Sequence, residues 1–295
     1  MKEVFNTIQK SIKQEGVFVV GSPALIWQVV FFYFPLLLMM ISSIAIFSEE
    51  GTFLGLTLKN FYPILSKVHF AIVFSSIGIA LSAATISLVI AYPLAHFIAF
   101  KAGRFKTLML FFLVVPFWTN FLLHVYAWFF VLERDGFLNT LLKKMGIIHD
   151  PIHFLNSYFA ILLMMVYCYL PFMVLPIFST LDKFDQRLLE VSGDLGASRY
   201  QTFTKVMLPL TLPAIRAGVF LVFIPAYGEF IIPELMGGDR TFFVGNVISQ
   251  YILGKETGEM GAAFMVVSCV ALVMTSIIVL MVFRKVSKYL LKGLK

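Results

Sequence analysis

Six apolar runs, each at least 22 residues long, occupy positions 24–47, 69–100, 107–132, 154–178, 214–235 and 261–283 of the chain. A helix rises about 1.5 Å per residue, so about 20 apolar residues cross a hydrocarbon core of roughly 30 Å. Inside lipid every backbone N–H and C=O must be satisfied within the protein, and apolar runs of this length meet that demand as helices. The expected fold class is therefore an all-α integral membrane protein with six transmembrane helices. Composition agrees: 13% of residues are charged and mean hydropathy is +0.91, whereas soluble domains carry about 25% charged residues. The first run starts late and is longer than the apolar core of a cleavable signal, so none is expected. The run 69–100 is longer than a bilayer requires, and the fifth carries Pro225, Gly228 and Pro233, which predict a broken helix.

Orientation follows from the basic residues. With the N-terminus inside, 16 of the 23 Lys and Arg fall on the cytoplasmic side, in 1–23, 101–106, 181–216 and the tail 284–295. Both termini are then cytoplasmic. The net charge of +7 is thereby topological, and nucleic acid is excluded as a partner. The expected organisation is a cytoplasmic segment 1–23, a six-span membrane domain 24–283 containing a cytoplasmic loop 181–213, and a basic tail 284–295.

That loop, LDKFDQRLLEVSGDLGASRYQTFTKVMLPLTLP, carries four basic and four acidic residues between two apolar runs. Phe184, Leu188, Leu189, Leu195, Phe203, Val206 and Leu208 are interleaved among them. Such spacing predicts short amphipathic helices at the membrane surface, lying on lipid or docking on a partner.

No G-x-x-x-x-G-K-[ST] is present, so the chain holds no P-loop of its own, and H-E-x-x-H, C-x-x-C and G-x-S-x-G are absent too. Cys168 and Cys269 lie in apolar runs and read as small core residues. His149 and His153 flank Pro151 in a predicted loop and read as solvated rather than metal-binding. His96 and His124 lie in apolar runs, where helix packing or an interface accounts for them better than a role in transport. The uncommon residues are carboxylates: Glu229 and Glu234, in FIPAYGEFIIPEL. A charge at the bilayer centre costs roughly 2.5–3.5 kcal/mol on insertion scales, so each should face protein or water. Glu229 carries two readings, a cation path or a structural hydrogen bond; Glu234 is either part of that path or the interfacial end of the span. Trp118, Tyr126 and Trp128 admit cation–π contacts or ordinary interfacial packing.

Glu190-Val-Ser, three residues, Gly196, nine residues and Val206-Met-Leu-Pro209 resemble the cytoplasmic EAA signature of ATP-binding-cassette importer permeases. Val191 and Ser192 stand where that signature has alanines. VVPFWTNFLLHVYAW (114–128), DLGASRYQTFTKVMLPLTLPAIRAG (194–218) and FIPAYGEFIIPELMGG (223–238) are similar to the spermidine/putrescine importer permeases, and the likeness spans about 24–283. His124 departs from the family, which has arginine there. The resemblance implies a type I importer permease fold in a bacterial inner membrane. Its partners would be a second homologous permease, an ATPase dimer and a substrate-binding protein. No cofactor is implied in this chain; ATP-Mg is used by the partner ATPases. Arg187, Glu190, Asp194, Gly196, Leu208 and Pro209 become ATPase-coupling residues, with Leu189 and Leu195 plugging a groove. Glu229, Glu234, Trp118, Tyr126 and Trp128 become the substrate path. The alternatives are another small solute, an ion-gradient-driven transporter or a membrane scaffold; a catalytic role is not expected.

Overall fold

The computed structural model describes residues 21–47, 52–238, 241–254 and 258–292. The expected lead segment therefore lies almost wholly outside the described residues. The described residues form two compact units, one within 1–65 and 251–266, the other within 66–250 and 267–295.

In the first unit, α1 (Gly21–Ile44) is a membrane-length apolar helix. The run was expected to continue to residue 47, but Ala45–Phe47 is a strand, β1, paired antiparallel with β2 (Phe53–Leu56). This short hairpin is a local departure within a chain that is otherwise helical, as expected. It forms because the orphan carbonyls at the end of α1 find partners outside the helix. Thr57 N–H donates to Ile44 O at 2.6 Å, and Asn60 Nδ2 donates to Ser43 O and Ala45 O at 3.1 Å each.

The second unit is built on three long helices: α2 (Lys67–Phe100), α6 (Tyr158–Asp182) and α9 (Leu208–Gly228), which pack pairwise against one another. Small residues make this close packing feasible. Ser76, Ala80, Ala84, Ser87, Ala91 and Ala95, spaced three or four apart along α2, are all buried, and such a stripe lets backbones approach. Gly218 on α9 serves the same end, since a Cβ there would lie 2.7 Å from Met173 Sδ and 3.3 Å from Met173 O. The outer faces keep Phe74, Val89 and Phe112 largely exposed, as lipid-facing residues should be.

The third expected span is not continuous. Helix α3 (Lys106–Trp118) and helix α4 (Phe121–Leu132) are separated by Thr119 and Asn120, and the two arms, the second running on through α5 (Phe137–Lys144), meet at 93°. Thr119 and Asn120 are extended, and Asn120 Oδ1 accepts from Leu122 N–H at 2.9 Å, capping α4. Among the described residues, five helices are thus long and apolar enough to cross a membrane, six if the bent pair counts as one span.

The central loop was expected as separate surface helices. Its first helix, α7 (Arg187–Asp194), is one, but α8 (Arg199–Thr202) continues through a π-helical turn, Phe203–Met207, into α9. Pro209 explains the wide turn. It offers no N–H, and its ring would collide with the carbonyl four residues back, so the helix opens by one residue instead of stopping. The same spacing recurs in α1, where a π-helical turn at Val29–Tyr33 precedes Pro35.

Pro225 does not break the fifth span either, because packed neighbours stabilise a proline-containing helix. The break comes at Glu229, and helix α10 (Ile231–Met236) follows. Helices α11 (Val244–Leu253) and α12 (Gly258–Lys292) complete the described chain, α12 extending nine residues beyond the expected span.

Candidate functional site

The break between α9 and α10 gathers the polar groups of the membrane region. Glu229 is extended, and its Oε1 accepts from the N–H groups of Phe230, Ile231 and Ile232 at 3.1, 3.0 and 3.5 Å. A carboxylate here satisfies orphan donors at the start of α10 and complements the helix dipole. Its other oxygen, Oε2, accepts from Tyr169 Oη of α6 at 2.6 Å. Glu229 is half-buried, so it is both a structural cap and a charge within reach of solvent.

Helix α11 holds the break from the opposite side. A Cβ at Gly245 would lie 2.6 Å from Gly228 O and 2.7 Å from Glu229 O, so only glycine permits this approach. Asn246 Nδ2 donates to Phe230 O at 3.1 Å and to Glu234 Oε2 at 2.7 Å. The start of α11 is fixed in turn by the buried Ser76, whose Oγ accepts from Val244 N–H at 2.9 Å.

Two cavities flank this frame. One, of about 90 Å³, is bounded by Pro116 and Phe117 of α3, Thr119, His124 of α4, and Tyr167 and Tyr169 of α6. His124 bridges across it: Tyr167 Oη lies 3.2 Å from Nδ1, and Thr119 Oγ1 meets Nε2. The other, of about 140 Å³, is lined by Glu234, Thr241, Phe242, Asn246 and Gln250.

The five path residues expected from sequence are thus not one cluster. Glu229 is joined through Tyr169 to the wall of the smaller cavity, and Trp128 touches that wall through an edge-on contact with Tyr167 at 5.6 Å. Glu234 belongs to the second cavity. Trp118 and Tyr126 are exposed and line neither. Sequence reasoning missed Tyr167, Tyr169 and Asn246, and it favoured packing or an interface over a transport role for His124. A signal existed in MVYCYLP, where two hydroxyls flank Cys168 inside an apolar run and must find partners. His149 and His153 are exposed in the loop before α6, and no group of three or more potential metal ligands occurs among the described residues.

Four of the six residues expected to couple to an ATPase, Arg187, Glu190, Asp194 and Gly196, belong to one compact surface feature. Between α7 and α8 the chain reverses at Gly196, whose φ of 78° is a left-handed conformation that glycine adopts without strain. Ser192 Oγ lies 2.8 Å from Thr202 Oγ1, tying the two helices together. Ser198 and Gln201 cap α8 reciprocally. With its polar side so occupied, the motif leaves Leu188, Val191, Leu195 and Tyr200 exposed, Leu195 at 83%. Arg187, Glu190 and Asp194 are exposed around them. Leu189, one of the two expected plugs, is only partly exposed. Leu208 and Pro209 lie apart from this surface, at the π-helical turn.

Residues 86–288 match the family described as the binding-protein-dependent transport system inner membrane component, and the chain belongs to that family. It is therefore a multi-pass inner-membrane transport component.

Its relatives narrow the class. The spermidine/putrescine transport system permease protein PotB of Escherichia coli (strain K12) is 37% identical over 268 residues, which span 90% of this chain and 96% of that protein. PotB of Haemophilus influenzae is 37% identical over 240 residues, spanning 80% of this chain and 83% of that one. The trehalose/maltose permease protein MalG of Thermococcus litoralis is 29% identical over 279 residues, 88% of this chain and 89% of that protein. Among solved structures, a bacterial ABC transporter that imports the acidic polysaccharide alginate superposes with a TM-score of 0.68 at 16% identity, over 95% of this chain and 99% of that one. That likeness bears on the fold alone.

Proposed function

We propose that this chain is the permease subunit of an ATP-driven importer that carries polyamines, spermidine and putrescine, into the cell. The observation that carries the reading is the 37% identity to PotB along nearly the full length of both proteins. The geometry is consistent with it. A polyamine is a flexible chain of several positive charges, and its path calls for carboxylates, hydroxyls and rings held in place by the protein. Glu229 with Tyr169, and Glu234 with Asn246, supply two such carboxylates, each fixed by hydrogen bonds.

Energy enters by contact. The α7–α8 pair docks on a separate ATPase dimer, which uses ATP and Mg²⁺, and α8 transmits the movement because it is one helix with α9. Transport is then a shift between two packings that the ATPase stabilises differently. Both termini are cytoplasmic, a second homologous permease completes the pathway, and a soluble binding protein delivers the solute.

The test is uptake of labelled spermidine and putrescine into vesicles carrying this chain with its neighbouring permease, ATPase and binding protein. ATP-dependent uptake, with each polyamine competing against the other, is expected. ATP turnover without polyamine uptake assigns the importer to another solute. Uptake driven by an ion gradient without ATP refutes the mechanism.

A further inference from the structure

A further cavity is unrelated to the candidate path. It holds about 270 Å³ between the beginning of α9 and the end of α12. Arg216 comes to it from α9, Arg284 and Lys288 from α12, and Ser287 adds a hydroxyl. No carboxylate lines it. Among the described residues none of the three cations makes an ion pair; the pair that is present joins Lys106 to Asp182. Three like charges around one cavity repel one another, and an anion seated among them removes that cost.

The rest of the lining indicates which anion. Leu212, Pro213 and Phe283 form an apolar wall beside the cations. Phe283 is the last residue of the sixth apolar run and Arg284 the first residue of the basic tail, so the cavity sits where the hydrocarbon core gives way to headgroups. Long basic side chains reach from such a boundary toward phosphate while their stems stay on apolar surface. Arginine binds phosphate oxygens in a two-pronged fashion that lysine does not reproduce.

We infer that this cavity binds the phosphate of an anionic phospholipid, with its acyl chains against Phe283 and Leu212. The lipid ties the first turns of the fifth span to the end of the sixth, next to the π-helical turn through which α8 passes into α9. The inference does not depend on which solute the protein carries.

The experiment uses the membrane complex containing this chain, reconstituted in nanodiscs of phosphatidylcholine with or without phosphatidylglycerol, with retained lipid counted by native mass spectrometry. Phosphatidylglycerol is expected to be kept in preference to phosphatidylcholine. Arg216→Gln combined with Arg284→Gln is expected to weaken retention about 30-fold and Lys288→Gln alone about fivefold. Arg284→Lys, which keeps the charge but not the two-pronged contact, should weaken retention less than the double variant does. Melting in phosphatidylcholine alone serves as the folding control; should the double variant misfold, the exposed Lys288→Gln decides. Unchanged retention in these variants overturns the inference. Displacement of the lipid by millimolar inorganic phosphate assigns the cavity to a free anion and also overturns it. So does loss of a partner subunit with lipid retained, which would assign the cations to an acidic protein surface.

Discussion

Replacing Glu229 separates its two roles, because alanine removes the whole carboxylate and glutamine removes only its charge. In Glu229→Ala the N–H groups of Phe230, Ile231 and Ile232 lose their acceptor and Tyr169 Oη loses its partner. Loss of the cap costs about 1 kcal/mol and loss of a hydrogen bond to a charged group about 1.5–3 kcal/mol. The sum, roughly 2.5–4 kcal/mol, should lower the melting midpoint of the purified complex by several degrees. Glu229→Gln retains an amide oxygen for the cap and an NH2 group to which Tyr169 Oη turns as acceptor, so its melting should stay close to the parent. Its effect should appear in transport. A unit charge about 4 Å from a cationic solute is worth about 4 kcal/mol at an effective dielectric of 20. Glu229 is only half-buried, so solvent screens much of that, and a 10- to 30-fold loss of uptake at low polyamine, about 1.4–2 kcal/mol, is expected. Normal uptake by Glu229→Gln, together with poor stability of Glu229→Ala, would show that Glu229 is a helix cap and nothing more. Normal melting of Glu229→Ala would refute the capping argument itself.

Two further substitutions test the frame. Gly196→Val meets no neighbouring atom, but the backbone φ of 78° should cost a β-branched residue about 1–2 kcal/mol. The turn between α7 and α8 should therefore distort, with ATPase binding or coupling lost and membrane insertion intact; normal coupling counts against docking at this turn. Gly218→Leu should prevent α9 from closing on Met173 of α6, lowering stability by at least about 2 kcal/mol. A melting midpoint equal to the parent's would show that α6 and α9 are not held this closely.

Legibility varied with the kind of constraint. The apolar runs were readable because burial in lipid allows few departures, and Gly196 was readable because a tight reversal between two short amphipathic stretches calls for glycine. The turn at Thr119–Asn120 was not, since Asn120 in an apolar run gives no sign that its side chain will cap a new helix. Pro225 misled, since it was expected to break a helix that neighbouring helices hold together, and the π-helical turn ahead of Pro209 was not foreseen.

Glu229 shows the same limit from another side. Its presence in an apolar span required a partner, yet the partner, Tyr169, is 60 residues away. Gly245 and Asn246, which hold the break from α11, belong to a segment read only as a connection. By itself, the sequence determined that the chain is a helical membrane protein, where its polar surface helices lie, and that a charge and a helix break coincide near Glu229. Local composition decides those matters, because hydrophobicity and backbone hydrogen bonding act over neighbouring residues. Only the tertiary structure decided which helices pack, that α8 and α9 are one helix, and which hydroxyl and amide groups hold each carboxylate. Contacts between residues distant in sequence decide these, and such contacts leave no periodicity to read.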